Sequence, residues 1–547
     1  ADDVLVADAG SVLFRHPLLR ATTWQRASRS ERLSAHAGLA AALPDGAART
    51  WHRAEAATSH DGPLAADLAL VAESDRSRTG FAAASRAMER AAQLTPVAAR
   101  RHEWLAEATE DALLAGDTAR ARRLASAVLA SDAGPAPRAK ALLSLGLLEQ
   151  AHGTLLASRD LFERAALVAE GRLLIRTLAE VFTSCHLLDD SPGMVAAAER
   201  AVAVADLGDP EQAMLGAYLE GASLVVRGRP DLGFPVLHRA IALLESDPSL
   251  RDDPRHLPVS ALIPRFLMDP SAALPYGERR IARAREVGAL GALAVTLPVY
   301  AMGLAWMGDH VRAHAWAGEA VELLEALDLR SDRGTASEAA ALQDAFRGRH
   351  EEAQRHLDRV RRIVASNGFD ARPPHLARVE ATCALCAGDL ETVVEVLEDQ
   401  IARFNGVGAF LEPFGVAPDL VEAYLGLGRV ADAHTLVARF RSAQAGTPLP
   451  QVSAMVARCE ALVAPDMGAA ERHFERALAL HDPRTDRLES ARTRLMLGMR
   501  LRRAGRRVDA RAHLEAARRE FSAMDLTLWA HRARAELAAT GERVPAR

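Results

Sequence analysis

Few side chains in this sequence are spaced for chemistry. Cys383-Ala384-Leu385-Cys386 is a CxxC, which as a metal site would need a second pair of ligands. No second pair lies near it, and residues at i and i+3 of a predicted helix share one face, so the two thiols read as buried packing. His310 and His314 stand at i and i+4, offering two metal ligands on one helical face; no third ligand is evident, and they read as surface histidines. A phosphate-binding P-loop needs a glycine-lysine pair. Lys140, the only lysine, follows Ala139 in a helical run, so there is no Walker A sequence. HExxH and G-x-S-x-G are absent as well. Carboxylates alternate with arginine along predicted helices, as solvated faces do. The expectation is no enzyme, no metal and no cofactor.

What remains is a surface, and glycine sets the elements that present it. Gly308, Gly348, Gly388 and Gly428 recur every forty residues, each followed by a charged residue (Asp309, Arg349, Asp389, Arg429). Five positions after three of them stands alanine (Ala313, Ala353, Ala433), and Val393 stands after the fourth. Apolar helical sequence flanks every glycine. A glycine that ends one helix, a short turn, and a small residue where a second helix crosses the first describe a helical hairpin. Hairpins repeated at a fixed period bury their apolar faces against neighbours and form a solenoid. Further turns are expected at Gly116-Asp117 (with Ala121), Gly153, Asp189–Pro192, Gly228-Arg229, Asp269-Pro270, Pro465-Asp466 and Gly505-Arg506 (with Ala510). Gly146, Gly221 and Gly498 each lie seven residues before a turn glycine, which is the grammar of the tetratricopeptide repeat. HEAT-like pairs share the period, and the glycine-alanine pattern decides between them. The predicted fold class is all-α, a tetratricopeptide-like helical-hairpin solenoid (a superhelix) with a short β-hairpin at its N-terminus.

Counting back from each turn glycine turns Tyr218, Met302, Trp306, Glu338, Phe346, Arg378 and Glu422 inward, and the inferred sixth hairpin adds Arg265. Aromatic, methionine and paired-charge character on a concave face suits ligand binding, where a few polar groups fix orientation. Ordinary packing between repeats is the competing reading. An inward guanidinium is costly without an acidic partner. Glu338 and Glu422 are candidate partners for Arg265 and Arg378; failing them, an anionic or carboxylate-bearing effector fits, since arginine grips such groups with paired hydrogen bonds.

Composition agrees with a helical array: 49% of residues are hydrophobic but only 4% aromatic, and the commonest types are strong helix formers. A net charge of -5 argues against the whole surface binding nucleic acid. Four cysteines in 547 residues give no disulfide framework. With no signal peptide and no long apolar run, the expected location is the cytoplasm, away from membranes. Within residues 1–20, Val4 to Val6, Asp8-Ala9-Gly10 and Val12 to Phe14 predict the β-hairpin. Residues 21–79 read as a helical arm (Thr22–Leu43, Ala47–Thr58, Pro63–Ser77), residues 80–525 as the repeats, and residues 526–547 as a capping helix over Leu526–Thr540 and a tail.

The two ends carry a family resemblance. Phe14-Arg15-His16-Pro17-Leu18-Leu19-Arg20, after a hairpin and before a helical tract with Trp51-His52, resembles the end of the winged-helix module in large ATP-binding regulators of the LuxR family, the maltose-activator type of signal-transducing NTPase (STAND). Ala535-Glu536-Leu537-Ala538-Ala539-Thr540-Gly541-Glu542-Arg543 resembles the segment before their helix-turn-helix. The resemblance implies a regulatory sensor arm of a bacterial transcriptional regulator. Its partners would be an effector, small molecule or protein, together with the ATPase and DNA-binding domains of the parent chain. Direct nucleic-acid contact by this segment is not expected. It also marks His16 as a nucleotide-sensing candidate, with Pro17 where the pattern has an acidic residue. A free-standing tetratricopeptide-type scaffold joining two proteins stays open as the alternative.

Overall fold

The structure, a computed structural model, describes residues 5–8, 11–14, 17–78, 80–188, 190–251, 253–256, 262–263, 266–267, 274–286, 290–327, 333–366, 374–403, 412–444 and 449–541. The chain divides into two units, Ala1–Leu145 and Gly146–Arg547.

In the first unit, strands Leu5–Asp8 and Ser11–Phe14 pair antiparallel, with Leu5 opposite Phe14 and Asp8 opposite Ser11. The tract expected as one helix over Thr22–Leu43 is two helices, Pro17–Arg26 and Arg29–Ala42. The break is chemical. Ser28 Oγ accepts from the Glu31 N–H at 3.2 Å while the Glu31 carboxylate accepts from the Ser28 N–H at 2.7 Å. This capping box was legible in Ser28-Arg29-Ser30-Glu31 and starts a new helix. Helices Ala47–Ala56, Gly62–Ser77, Phe81–Leu94, Ala98–Leu114 and Thr118–Leu129 follow, packed on Leu64, Leu68, Met88, Ala91 and Trp104.

The second unit is a run of helical hairpins. Gly171–Leu187 pairs with Ser191–Val204, and Pro210–Val226 with Pro230–Ser246. After Leu274–Glu286 come Leu290–Trp306 with His310–Ala326, Arg333–Phe346 with His350–Ser366, and Pro374–Ala387 with Leu390–Arg403. Glu412–Gly426 with Val430–Gln444, Pro450–Val463 with Met467–Leu480, and Arg487–Arg503 with Arg507–Ala523 complete the series before a last helix, Thr527–Ala538.

The spaced glycines end the first helix of their hairpins because they alone enter the left-handed region without strain: φ is +82° at Gly308, +76° at Gly348, +83° at Gly388 and +75° at Gly428. At Gly308 the chain reverses with the Asp309 N–H donating to the Leu304 carbonyl at 2.9 Å, the long bond of a Schellman ending. Where aspartate follows the glycine it caps the next helix: Asp309 accepts from the Arg312 N–H and Asp389 from the Thr392 N–H. Where arginine follows, it pairs with a nearby aspartate instead: Arg429 with first-turn Asp432 at 2.7 Å, Arg506 with first-turn Asp509 at 2.7 Å, and Arg349 with Asp344 of the preceding helix at 2.6 Å. Turns also fall at Asp190 and Asp466, both N-caps; the turn expected at Asp269-Pro270 lies outside the described residues.

Small residues set how closely the two helices cross. Ala313, Ala353, Val393 and Ala433 are all buried. A Cβ on Gly146 would lie 2.4 Å from Phe162, one on Gly221 2.8 Å from Leu237, and one on Gly498 2.6 Å from Leu514. No side chain fits at these crossings, which is the physical content of the glycine-alanine pattern.

The second unit also returns on itself. One apolar cluster joins Leu304, Ala341, Phe346, Cys383 and Cys386 to Leu488, Leu495, Met524 and Trp529. A Cβ on Gly308 would lie 2.8 Å from the Arg487 Cβ and 3.0 Å from the Met524 sulfur. The last helix is therefore not an open-faced cap: Trp529 is only 1% exposed.

Candidate functional site

The inward-counted residues lie on the first helices of successive hairpins and divide into apolar side chains packed in the core and a group with polar and charged partners. Tyr218 is fully buried, its ring 5.7 Å edge-on to Phe182 and 6.3 Å from Phe266. Phe346 is buried with its ring 5.0 Å from His310. Met302 is half-buried against the apolar cluster. These three pack against other side chains. Arg265 and His16 lie outside the described residues.

The others assemble from three neighbouring first helices. Trp306 ends Leu290–Trp306, Glu338 stands in Arg333–Phe346, and Arg378 in Pro374–Ala387. The Arg378 guanidinium lies over the Trp306 ring, 4.5 Å from its centroid, an arrangement in which the ring's negative face attracts the cation. Glu338, 5% exposed, pairs with His375 at 3.3 Å. His375 precedes Arg378 by three residues on one helix, so both fall on the same face. The result is an aromatic surface, a guanidinium, an imidazole and a carboxylate side by side. Arg378 and Glu338 hold additional contacts of their own.

Glu422 belongs to a second polar cluster that counting within the repeat did not anticipate. Its partner is Arg492, from the second-to-last hairpin helix: Arg492 Nη2 lies 3.0 Å from Glu422 and 2.7 Å from Asp419, and Nη1 lies 3.3 Å from Glu489. Arg492 stacks on the Trp529 indole at 5.1 Å, and Arg532 stacks on the same ring at 5.0 Å. Burial opposes the charge on Glu489, yet the Arg458 and Arg492 charges hold its carboxyl down at about 2. Arg458 is 1% exposed and pairs with Glu489. Nothing local in the sequence marks Arg492, because Asp419 and Glu422 are some seventy residues away and only the chain's return brings them together.

The remaining motifs are structural in position. Cys383 and Cys386 are buried free thiols, and burial pushes Cys386 up to about 12. His310 is buried, not a surface histidine as expected: its Nδ1 is 3.2 Å from Gln343 Oε1, and burial pulls its pKa down to about 4. His314 is 3.4 Å from Arg349 Nη2, so the two histidines have separate surroundings. Among the described residues no group of three or more potential ligands is placed to hold a metal ion. Glu180 neighbours Tyr218, and burial raises its carboxyl to about 7. No described helix is long and apolar enough to cross a membrane.

No protein-family model matches the chain, and no curated protein matches it. Solved structures do. The crystal structure of the APC/C hetero-tetramer Cut9-Hcn1 aligns at 15% identity over 88% of this chain and 94% of that one, with a TM-score of 0.42. A Rap protein complexed with Competence and Sporulation Factor aligns at 12% identity over 70% of this chain and 98% of that one, TM-score 0.35. Yeast Tom70 aligns at 13% identity over 87% of this chain and 96% of that one, TM-score 0.31. These are distant likenesses; the chain itself is an array of helical hairpins.

Proposed function

We propose that this chain is a non-enzymatic sensor module that binds an effector at Trp306, Arg378, His375 and Glu338. The state of that site would pass to the ATPase and DNA-binding domains of a bacterial transcriptional regulator. The observation that carries the reading is the stacked Trp306–Arg378 pair beside the Glu338–His375 pair. The first helices of three successive hairpins meet there, and Trp306, His375 and Arg378 are half-buried while Glu338 is buried. An anionic or carboxylate-bearing effector fits best: it would exchange with the contacts Arg378 holds in the unliganded chain, while the indole supplies apolar area. The transcriptional setting rests on the resemblance of the chain's two ends.

A thermal-shift screen of carboxylate and phosphate metabolites and acidic peptides tests the site. A true effector at 100 times its Kd stabilises the wild type by about 2.7 kcal/mol. Trp306→Ala and Arg378→Ala should each weaken that binding at least about tenfold, the worth of one charge-assisted bond, with helical circular dichroism unchanged. Binding that ignores both substitutions would move the site elsewhere. If the only binders were proteins insensitive to both changes, the scaffold reading would replace this one.

A further inference from the structure

We infer that the return of the C-terminal helices onto the middle hairpins is a releasable clasp, and that the proposed effector site controls it. The clasp itself is independent of that site; its control rests on the effector reading given above.

Both are built on the same two helices. Arg333–Phe346 gives Glu338 to the site, and Arg347 immediately after it binds the returning chain. Pro374–Ala387 gives His375 and Arg378 to the site, while its last turn gives Cys383, Cys386 and two carbonyls to the clasp. Arg532 Nη2 donates to the Leu385 carbonyl at 3.0 Å and the Cys386 carbonyl at 2.9 Å. A helix end has unpaired carbonyls there and a partial negative charge that favours a guanidinium. Thr527 Oγ1 donates to the Arg347 carbonyl at 2.8 Å, and Arg347 Nε lies 2.9 Å from Asp525 Oδ2.

Asp525 marks where the clasp releases. It is the one non-glycine residue with positive φ among the described residues, at +60°, a conformation that costs energy and that aspartate and asparagine tolerate best. Its side chain is 55% exposed although that of Arg347 is 4% exposed, so water can replace the carboxylate from one side only. A strained residue whose carboxylate ties down a nearly buried guanidinium is a point at which a packed seam opens first. Binding at Trp306 and Arg378 shifts the helix Pro374–Ala387 against Arg333–Phe346, and each clasp contact reads that spacing.

Cys383 and Cys386 lie under the clasp, whereas Cys185 lies in the helix Gly171–Leu187, outside that cluster. Pulse alkylation of the full chain, read thiol by thiol by mass spectrometry, reports opening without a ligand. Asp525→Asn keeps the backbone conformation and removes the ion pair; it should speed labelling of Cys383 and Cys386 about three- to tenfold and leave Cys185 unchanged. Thr527→Val should act the same way to a smaller extent. Equal acceleration at Cys185, or none at Cys383 and Cys386, would overturn the clasp. Arg378→Met should change the Cys386 rate at least about twofold, the scale of a cation–π contact. If it does not while Asp525→Asn does, the clasp stands and its control by the site is refuted. A failed ligand screen with positive labelling would instead refute the effector reading.

Discussion

Replacing Arg492 by methionine probes the seam where it is most desolvated. The side chain is 7% exposed, and three carboxylates surround it: Asp419 at 2.7 Å, Glu422 at 3.0 Å and Glu489 at 3.3 Å. Asp419 is 9% exposed. Methionine fills much of the same volume, so the loss is electrostatic. Removing one partner of a buried ion pair costs about 3–5 kcal/mol, because the remaining charge stays dehydrated. The lost stacking on Trp529 at 5.1 Å adds about 1 kcal/mol. Glu489 retains Arg458, which places the expected total toward the lower end, about 4 kcal/mol. Urea denaturation followed by far-UV circular dichroism would read it, at unchanged m-value. A deficit below about 1 kcal/mol would refute the idea that Arg492 is a desolvated counter-charge.

Two other outcomes follow from geometry and titration. Gly498→Ala should destabilise by about 1–2 kcal/mol although alanine favours helix by about 1 kcal/mol, because the new Cβ lies 2.6 Å from Leu514; an unchanged urea midpoint would contradict the close crossing. Glu180 gains protons on folding, its carboxyl raised by burial from the ordinary 4.5 to about 7, so its contribution is fully present below pH 4.5 and fades as pH rises through 7. Glu180→Gln should remove up to about 3 kcal/mol of pH dependence between pH 5 and 8. Parallel wild-type and variant stability curves would show that this carboxyl does not titrate in that window.

The hairpins were legible because their determinants are local. Gly308, Gly348, Gly388 and Gly428 must adopt positive φ, and Gly146, Gly221 and Gly498 must leave room for the second helix; both demands show as fixed spacings. The same counting placed Trp306, Glu338 and Arg378 on one face, but could not separate them from Tyr218 and Phe346, which differ only in what lies above them. Ser28 was a local signal passed over. The seam was not legible at all. Arg347 meets Asp525, and Arg492 meets Asp419, only after several hairpins have accumulated their rotations, and no period in the sequence encodes that sum. The identity of Arg492 as a buried residue is hidden further by its setting in an arginine-rich helix, Arg487–Arg503, whose other arginines are half-buried or exposed.

Hydrogen exchange across the last helix, Thr527–Ala538, tests the closure most directly. If the second unit is clasped, amides of this helix should exchange as slowly as those of Arg333–Phe346 and Pro374–Ala387, because all three open in one event. Asp525→Asn should then accelerate exchange in Thr527–Ala538 ahead of the other hairpins. Exchange at the rate of a frayed terminus in the wild type, with the middle hairpins still protected, would show that the C-terminal helices do not close on the middle hairpins.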